Sequence, residues 1–190
     1  MLGLTDFLES PKEVYFENQE TGENIILLLR AHLITLLPAV VFVFIFALAP
    51  LIFVEVNFIL KLGFLNTLSN SLVLILFFVY YLSVAFFAFL KFLLWYFNIY
   101  LLTNQRIIDF DFYGFLYKSI SETQLEKVQD VTSKISGPSQ TFFNYGNVYI
   151  QTASEKPMFV FENISKPDLV EKQITDELRL GNHPASQNGV

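Results

Sequence analysis

Residues with catalytic side chains are few in this chain, and they lie far apart in the sequence. The two histidines, His32 and His183, stand beside an apolar run and in the C-terminal tail, so a Ser-His-Asp set is not credible. Asp109 and Asp111 are spaced for one face of a strand, where no neighbouring histidine or glycine pattern completes a metal site. The absence of cysteine excludes disulfides, thiolate metal sites and thiol nucleophiles. We therefore expect a protein that is not an enzyme, without catalytic, cofactor-binding or metal-binding residues.

His32 invites one further interpretation, as a proton relay at the edge of the first apolar run. It lies at the boundary of that run, and the apolar runs contain no Asp, Glu, Lys or Arg deep enough to partner it. An interfacial histidine is the preferred interpretation, which argues against a transporter or a pump. A pore built by oligomerisation stays open, although no polar stripe lines either run.

Two apolar runs are long enough to carry the chain across a membrane. Residues 33–54 contain no charged side chain and would form a helix about 33 Å long. Residues 72–90 form a second run, whose helix should continue to about Phe97. The predicted transmembrane hairpin occupies residues 31–97, with spans at about 31–54 and 72–94 and a connecting loop over 55–71. A cleaved signal peptide is not expected, because about thirty polar residues precede the first run.

The charges beside the two runs predict on which side of the membrane the chain ends lie. Arg30 and Lys91 flank the open end of the hairpin, whereas the loop offers only Lys61, so both termini should be cytoplasmic. The expected location is the inner (plasma) membrane, crossed twice, with residues 1–30 as a cytoplasmic N-terminal segment. The aromatic residues expected in the inner headgroup belt are Trp95, Tyr96 and Tyr100.

Two prolines in the first run should each remove one helical hydrogen bond. Pro50 leaves the carbonyl of Phe46 without its N–H partner, and Pro38 does the same for an earlier carbonyl. In an antiparallel hairpin, Phe46 and Tyr80 both lie about 12 Å below the outer ends of their helices. We therefore predict that a hydroxyl of Tyr80 or Tyr81 donates to the freed carbonyl. The alternative, given equal weight, is that these tyrosines face another subunit or only pack.

After the second run the hydrophobic period changes from helical to two, which predicts a β domain over residues 98–180. Six strands can be assigned, and Asn104 and Gln105 form the tight turn between the first two. The residues of the second strand expected on its buried face are Ile108, Phe110 and Phe112. An amphipathic helix follows in "SKPDLVEKQITDELRL", and residues 181–190 are expected to form a disordered tail.

The charge balance of the chain limits the classes of partner that it is expected to bind. The net charge is −6, and residues 1–30 hold six acidic against two basic side chains. Nucleic acid is therefore not expected as a partner. From Lys91 onward, nine Lys and Arg face eleven Asp and Glu, so the β domain should not be drawn strongly to anionic lipid.

Three strings of the second half, "YLLTNQRIIDFDFYGF", "SISETQLEKVQDVTSKISG" and "FFNYGNVYIQTAS", resemble a bacterial pleckstrin-homology (PH)-like family. This is the membrane-anchored type often called YdbS-like, in which the domain is attached to paired helices. The similarity covers roughly residues 92–178, and the upstream "GENIILLLRAH" matches how such proteins begin. The most specific pieces are "LTNQR" at 102–106, "QDV" at 129–131 and "YG" at 145–146.

The resemblance implies an α+β membrane protein, in which a two-helix transmembrane hairpin is followed by a PH-like β-barrel or sandwich. Its two sheets should be orthogonal, and a C-terminal α-helix should cap them. That fold usually has seven strands, one more than the six assigned here. The missing strand is expected within residues 115–136.

The resemblance also marks one turn as a candidate binding site. Eukaryotic relatives of the fold often grip inositol phosphates with several basic residues around the first strand pair. The matching candidate binding residues here are Thr103, Asn104, Gln105 and Arg106. Because Arg106 is the only basic residue of this turn, an alternative stays open in which the first three form the turn and Arg106 holds it or neutralises a carboxylate.

The function predicted from these features is a protein-binding adaptor or assembly module at the inner membrane face. Its partners would be the lipid bilayer and either a second protein or another copy of itself. Exposed strand edges and the groove beside the terminal helix are suited to receive a peptide. The alternatives are an anionic lipid headgroup-binding module and a subunit of a channel or transporter.

Overall fold

The computed structural model describes residues 5–11, 15–16, 19–61, 63, 67–113, 117–153 and 158–181. The chain forms two compact units: Met1–Leu33 with Leu94–Val190, which we call the β unit, and Ile34–Leu93, which we call the helical hairpin. Of the tail expected to be disordered, only Gly181 is described, as the last residue of a helix. Residues 182–190 lie outside the described part of the chain.

Two long apolar helices, α1 (Leu37–Ile59) and α2 (Asn70–Phe97), confirm the predicted pair. A 3-10 turn, Leu33–Leu36, leads into α1. With this turn the two stretches are 27 and 28 residues long, enough to cross a membrane. The first helix continues beyond its predicted end and includes Glu55, which the prediction places in the loop. Pro38 lies in the first turn of α1, where its missing N–H removes no bond, so the loss predicted there is wrong.

The surface of these two helices is apolar and open. Only 6% of the most apolar window of the first stretch is buried inside the protein, and 0% of that of the second. The core helix of a soluble protein would be mostly buried, whereas exposed Phe, Leu, Ile and Val side chains cover α1 and α2. This exposure favours a lipid environment for both helices.

A tyrosine on α2 completes the hydrogen bonding of α1. Pro50 lies inside α1 and cannot donate to the carbonyl oxygen of Phe46. The Tyr80 hydroxyl donates to that oxygen over 2.8 Å, and the Tyr81 hydroxyl donates to the carbonyl of Ala47 over 3.2 Å. The predicted bond to the freed carbonyl is therefore confirmed.

Five antiparallel strands form the first sheet of the β unit, in the order β1-β2-β3-β4-β5. Their bounds are Phe7–Glu9 (β1), Ile25–Leu29 (β2), Ile99–Thr103 (β3), Arg106–Tyr113 (β4) and Tyr117–Gln124 (β5). β2 precedes the hairpin in the sequence, yet it pairs with β3, which follows the hairpin, and Leu29 lies opposite Tyr100. The chain segments on both sides of the hairpin therefore belong to one sheet.

β2 supplies the strand that the sequence-based count lacks. The prediction places this strand within residues 115–136 and treats residues 1–30 as a segment apart from the β domain. In the described part of the chain it is instead "IILLL" at Ile25–Leu29, with the short β1 beside it. This strand is buried on both faces, so it lacks the alternation that marks half-buried strands, and its sequence adjoins the membrane run.

The second sheet consists of β6 (Val128–Lys134), β7 (Tyr145–Thr152) and β8 (Met158–Ser165), with β7 in the middle. The short helix α3 (Pro138–Phe143) joins β6 to β7, and α4 (Pro167–Gly181) follows β8. The two sheets meet just after β2. Here Ala31 forms a β-bridge with Ile164, and the His32 N–H donates to the Asn163 carbonyl over 2.7 Å.

One apolar core fills the space between the two sheets and α4. Its fully buried side chains include Leu27, Leu102, Ile107, Ile150, Phe161 and Ile174. A second cluster covers the other face of the first sheet, and it consists of Ile25, Leu28, Leu101 and Ile108, with Leu8 and Phe16 packed against it. The centre of the first sheet is therefore buried on both faces.

The face assignment predicted for β4 is right for Ile108, which is buried, but the opposite face is buried as well at Ile107 and Asp109. Ile107 belongs to the main core, and Asp109, on the same face, lies opposite Tyr100 with only 4% of its surface exposed. Ile108 and Phe110 belong to or pack on the outer cluster instead. The alternation separates the two faces correctly, but it cannot show that the N-terminal segment covers the outer one.

Side chains expected at the membrane surface are instead partners within the β unit. The Trp95 indole N–H donates to the carbonyl of Ala31 over 2.7 Å, and the buried Arg30 guanidinium lies 4.4 Å from the centre of the Tyr96 ring. Tyr100 is buried in the core, and its hydroxyl accepts a backbone N–H of β8 over 3.2 Å. Burial lowers the pKa of Arg30, although an arginine remains charged at neutral pH. The expected headgroup belt is thus wrong for Trp95 and Tyr100.

Candidate functional site

The four candidate binding residues form the turn between β3 and β4. β3 begins two residues after α2 ends and runs five residues to this turn, a distance of about 15 Å in an extended chain. β4 then returns toward the start of β3, with Ile99 opposite Phe110. The turn therefore lies at the end of the first sheet farthest from the point where the chain leaves the hairpin.

Thr103 closes this turn from inside the protein. Its side chain is fully buried, and its hydroxyl oxygen accepts the backbone N–H groups of Gln105 over 3.2 Å and Arg106 over 3.0 Å. The hydroxyl donates in turn to Oε1 of Glu23 over 2.8 Å. A threonine suits this position because one hydroxyl can accept from the backbone and donate to a carboxylate.

Asn104 ties the same turn to the segment before β2. Its side-chain oxygen accepts the backbone N–H of Asn24 over 2.9 Å, and its side-chain amide donates to the carbonyl of Gly22 over 3.2 Å. Gly22 has a φ of +85°, a conformation that glycine adopts without a Cβ clash. The turn thus holds a chain segment about 80 residues away in sequence.

Arg106 is committed to two carboxylates. Its Nε and Nη2 each donate a 2.9 Å hydrogen bond to Glu23, and its Nη1 donates a 2.9 Å bond to Glu122. The Arg106 side chain is 13% exposed, that of Glu23 is fully buried, and that of Glu122 is 56% exposed. The hydrogen bond to Glu23 raises the pKa of Arg106. This geometry matches the alternative in which Arg106 neutralises a carboxylate.

Glu23 is the residue of this site that sequence reasoning missed. Burial raises the pKa of the Glu23 carboxyl, but hydrogen bonds from Arg106, the Glu20 N–H and Thr103 outweigh burial and hold that pKa below its ordinary value. The available signal was an acidic residue two positions before a continuous apolar strand, within the string "GENIILLLRAH". Its partner at position 106 lies beyond the entire hairpin, so local patterns give no hint of the pair.

An open groove of about 800 Å³ lies beside this turn. Its walls are the β3–β4 turn, the end of β5, the 3-10 turn Leu125–Lys127 that joins β5 to β6, and the last turns of α4. The Leu125 N–H donates to the carbonyl of Gln105 over 3.0 Å, which fixes two of these walls to each other. We call this feature the acidic groove, because the charged side chains that line it are Glu20, Glu122, Glu126, Glu177, Arg106 and Lys127.

The sign of this charge decides which ligands the groove suits. Among the described lining residues, four carboxylates face two cations, and one of the cations, Arg106, is already paired with Glu23 inside the protein as well as with Glu122. A phosphate group would meet more negative than positive charge here, whereas Lys or Arg side chains would be attracted. The groove therefore has the electrostatics of a site for a cationic ligand.

Two further features of the groove concern β5. This strand forms an edge of the first sheet, so every second residue turns its backbone N–H and C=O away from β4. Thr123 of β5 lines the groove and is 4% exposed, and its hydroxyl has no hydrogen-bond partner among the described residues. β5 thus combines an unpaired backbone edge with a buried, unpartnered hydroxyl next to the groove.

His32 and the aspartate pair belong to no metal-binding group in the described part of the chain. His32 Nε2 lies 4.0 Å from Asp6 Oδ2, and its ring stacks on Tyr145. His183 lies outside the described residues. No group of three or more His, Asp or Glu side chains within the described ranges is placed to hold a metal ion.

Two antiparallel sheets around one core, with a C-terminal helix packed on the second sheet, define a PH-like domain, here combined with two helices of membrane-spanning length. The family model described as "Bacterial PH domain" matches residues 26–178, a range that runs from β2 into α4 and includes both helices. The chain belongs to this bacterial PH domain family.

One solved structure that is similar is a DUF1696 family protein with a pleckstrin-homology domain from Shewanella loihica PV-4. The two chains share 19% identity, and the match covers 44% of this chain and 68% of that chain, with a TM-score of 0.33. A comparison with curated proteins finds no match. The family assignment therefore rests on the family model.

Proposed function

We propose that this protein is a membrane-anchored adaptor or assembly module, which binds a basic segment of a partner protein in its acidic groove at the cytoplasmic face of the inner membrane. The observation that carries the proposal is the charge of the groove. Its four glutamates are opposed by Lys127 and by Arg106, and the charge of Arg106 is already matched by Glu23. A lysine- or arginine-rich peptide complements this surface, and electrostatic attraction would also speed its association.

The edge of β5 supports an extended binding mode for that segment. A peptide can add a strand to β5, so that backbone hydrogen bonds supply affinity while the glutamates select basic side chains. Glu122 and Gln124 lie on this strand and on the groove wall at once. Side chains of an added strand would therefore reach the groove without any rearrangement of the β unit.

The pairing of β2 with β3 supports the proposed topology. Because these strands flank the hairpin and hydrogen-bond to each other, the N-terminal and C-terminal segments must lie on the same side of any membrane that the hairpin crosses. Lys91, close to the end of α2, favours the cytoplasm for that side. Arg30 no longer counts as a surface charge, because it is buried.

The YdbS-like type within the family and the absence of enzymatic activity are parts of this same proposal.

Recognition of anionic lipid headgroups is the second candidate function, taken from the position of Arg106 in its turn. The paired state of Arg106 and the carboxylates around it weigh against this candidate. A channel or transporter subunit is the third candidate, and liposome flux measurements would identify it. Self-association through the groove would require a basic segment from a second copy.

A photo-crosslinking experiment tests the proposal. A benzophenone amino acid replaces Gln124, which is exposed on the groove wall, and in the control it replaces Ser119, which is exposed on β5 outside the groove. After irradiation of intact cells, we expect a protein adduct from position 124 and none from position 119. Glu126→Lys combined with Glu177→Lys should reduce this adduct at least fivefold, and the matched reversal Glu162→Lys, on β8, should not.

Three results would overturn the proposal. They are an adduct with lipid only, a protein adduct that survives the double charge reversal, and the lack of any adduct from position 124. An adduct of twice the mass of the chain that is lost on charge reversal would identify the partner as a second copy.

A further inference from the structure

Two phenylalanines on the short helix α3 are exposed although nothing in the proposed function uses them. Phe142 is 81% exposed and Phe143 is 45% exposed, and their ring centres lie 4.9 Å apart in an edge-to-face arrangement. Together they present an aromatic patch at the end of a six-residue helix. Patches of this kind mark contact with another molecule or with a membrane.

The aromatic patch on α3 lies near His32, to which α3 is connected through Tyr145. Tyr145 directly follows α3 and its C-cap Asn144, and its ring stacks on His32 at 5.3 Å with an interplanar angle of 22°. The Tyr145 hydroxyl also donates to the Ser139 hydroxyl on α3 over 3.4 Å. One aromatic ring thus separates α3 from His32, the residue immediately before the first membrane-length stretch.

Backbone contacts fix α3 at this place. The His32 N–H donates to the carbonyl of Asn163, and Ala31 forms a bridge with Ile164. On the α3 side, Asn144 has a φ of 51°, and its carbonyl accepts the N–H of Lys166 over 3.0 Å. The end of α3 and the start of the first membrane-length stretch are therefore held at the same place, the C-terminal end of β8 and the residue that follows it.

The contacts of Tyr145 place α3 near the membrane boundary of the β unit. Leu33 is the first residue of the membrane-length stretch, so His32 marks the membrane boundary of the β unit. A six-residue helix is about 9 Å long, and Tyr145, which directly follows its C-cap, stacks on the His32 ring at 5.3 Å, so α3 lies close to that boundary. The headgroup region of one leaflet is about 5–8 Å thick.

We propose that α3 inserts Phe142 and Phe143 into the headgroup region of the leaflet that the first membrane-length stretch enters, and so forms a third contact of the protein with the bilayer. Aromatic rings are favoured at this depth because they combine an apolar body with tolerance of a polar surrounding. The insertion fixes the domain against the lipid surface at one end. The acidic groove, at the end of the first sheet farthest from the hairpin exit, stays in the aqueous phase.

The lack of cysteine in the chain allows a direct test. Phe142→Cys and, as a control in the acidic groove, Glu126→Cys each carry an environment-sensitive nitrobenzoxadiazole label on the full-length protein in phosphatidylcholine–phosphatidylglycerol vesicles. With brominated phospholipid in the vesicles, we expect the label at position 142 to be quenched at least twofold and the label at position 126 not at all. Aqueous iodide should instead quench the label at position 126 more strongly than the label at position 142.

Equal quenching of the two labels by brominated lipid would overturn the insertion. A blue-shifted label at position 142 without quenching by brominated lipid would also overturn it, since it would show that protein covers α3. Thr141→Cys, exposed on the same helix, provides a second labelling position if Phe142→Cys fails to fold. Because this readout does not involve the groove, the experiment can rule out insertion while partner binding holds. It can equally support insertion while partner binding fails.

Discussion

Arg106 donates two 2.9 Å hydrogen bonds to Glu23, a residue 83 positions earlier in the chain. The whole helical hairpin lies between the two residues in sequence, yet their pair closes the end of one sheet. Because Glu23 is fully buried, its charge requires this partner. The pair therefore makes the segment before the hairpin part of the PH-like domain.

Arg106→Ala should destabilise the β unit by about 3 kcal/mol, because it leaves the buried Glu23 carboxylate without its cation. The matched control is Glu122→Ala, which removes the exposed partner of the same guanidinium and should cost less than about 1 kcal/mol. Urea denaturation of the detergent-solubilised protein measures both values, with the fluorescence of Trp95, the single tryptophan and a β-unit residue, as the signal. Equal losses of unfolding free energy in the two variants would show that the burial of Glu23 does not determine how much the Arg106–Glu23 pair contributes.

The Glu23 pair should also make stability depend on pH. The folded-state pKa of Glu23 lies below the ordinary value of 4.5, so its contribution is fully present above that value and is lost as the pH falls through the folded-state pKa. Urea midpoints of the wild type and of Glu23→Gln should differ by a constant amount from pH 7 to about pH 5.5. Below about pH 4.5 the difference should shrink. A difference that grows on acidification would have the wrong sign for a depressed pKa.

In the hairpin, Tyr80→Phe should lower stability by about 1 kcal/mol, because it removes the hydroxyl that donates to the Phe46 carbonyl in place of the N–H that Pro50 lacks. Tyr81→Phe is the matched control and should cost less, since the carbonyl of Ala47 keeps the helical N–H of Leu51. Calorimetric melting of the solubilised protein gives both values. In a Pro50→Ala background the helical donor to Phe46 returns, so the cost of Tyr80→Phe should fall. If the free-energy cost of Tyr80→Phe is the same in the Pro50→Ala background, the Tyr80 hydrogen bond does not compensate for the missing N–H of Pro50.

Trp95→Phe should destabilise the β unit by about 1–2 kcal/mol, because it removes the donor to the Ala31 carbonyl in a buried setting. The wild-type indole should emit at short wavelength and resist aqueous quenchers, as expected for a side chain that is 6% exposed. Fluorescence of the wild type tests the second statement, and urea titration followed by circular dichroism, which the tryptophan-free variant also allows, tests the first. Emission typical of a water-exposed indole in the folded protein would contradict this position for Trp95.

The hairpin was the part of the fold that the sequence determined most fully. Its helices follow from uninterrupted apolar runs, and the bond from Tyr80 to Phe46 follows from helix geometry alone. Both are short-range properties, because helix rise and the missing proline N–H do not depend on distant residues. Strands β3 to β8 were likewise visible as local alternation and turn residues.

The contributions of the N-terminal segment could not be derived in this way. β2 pairs with a strand beyond the hairpin, and local patterns carry no information about such long-range pairing. The same segment covers the outer face of the first sheet, so that Ile108 is buried there as predicted, while Asp109 is buried on the core face, which the alternation did not show. The candidate turn residues were found by resemblance, but their roles as supports for Glu23 and Asn24 required the structure.

The most direct test of the proposed architecture is the accessibility of single cysteines from outside the cell. Thr67→Cys lies in the loop between α1 and α2, and Glu126→Cys lies in the acidic groove. On intact bacterial spheroplasts, a membrane-impermeant maleimide should label position 67 at once and position 126 only after lysis, with both variants in the membrane fraction. Labelling of position 126 before lysis, or recovery of the protein in the soluble fraction, would contradict a domain held at the cytoplasmic face by two membrane helices.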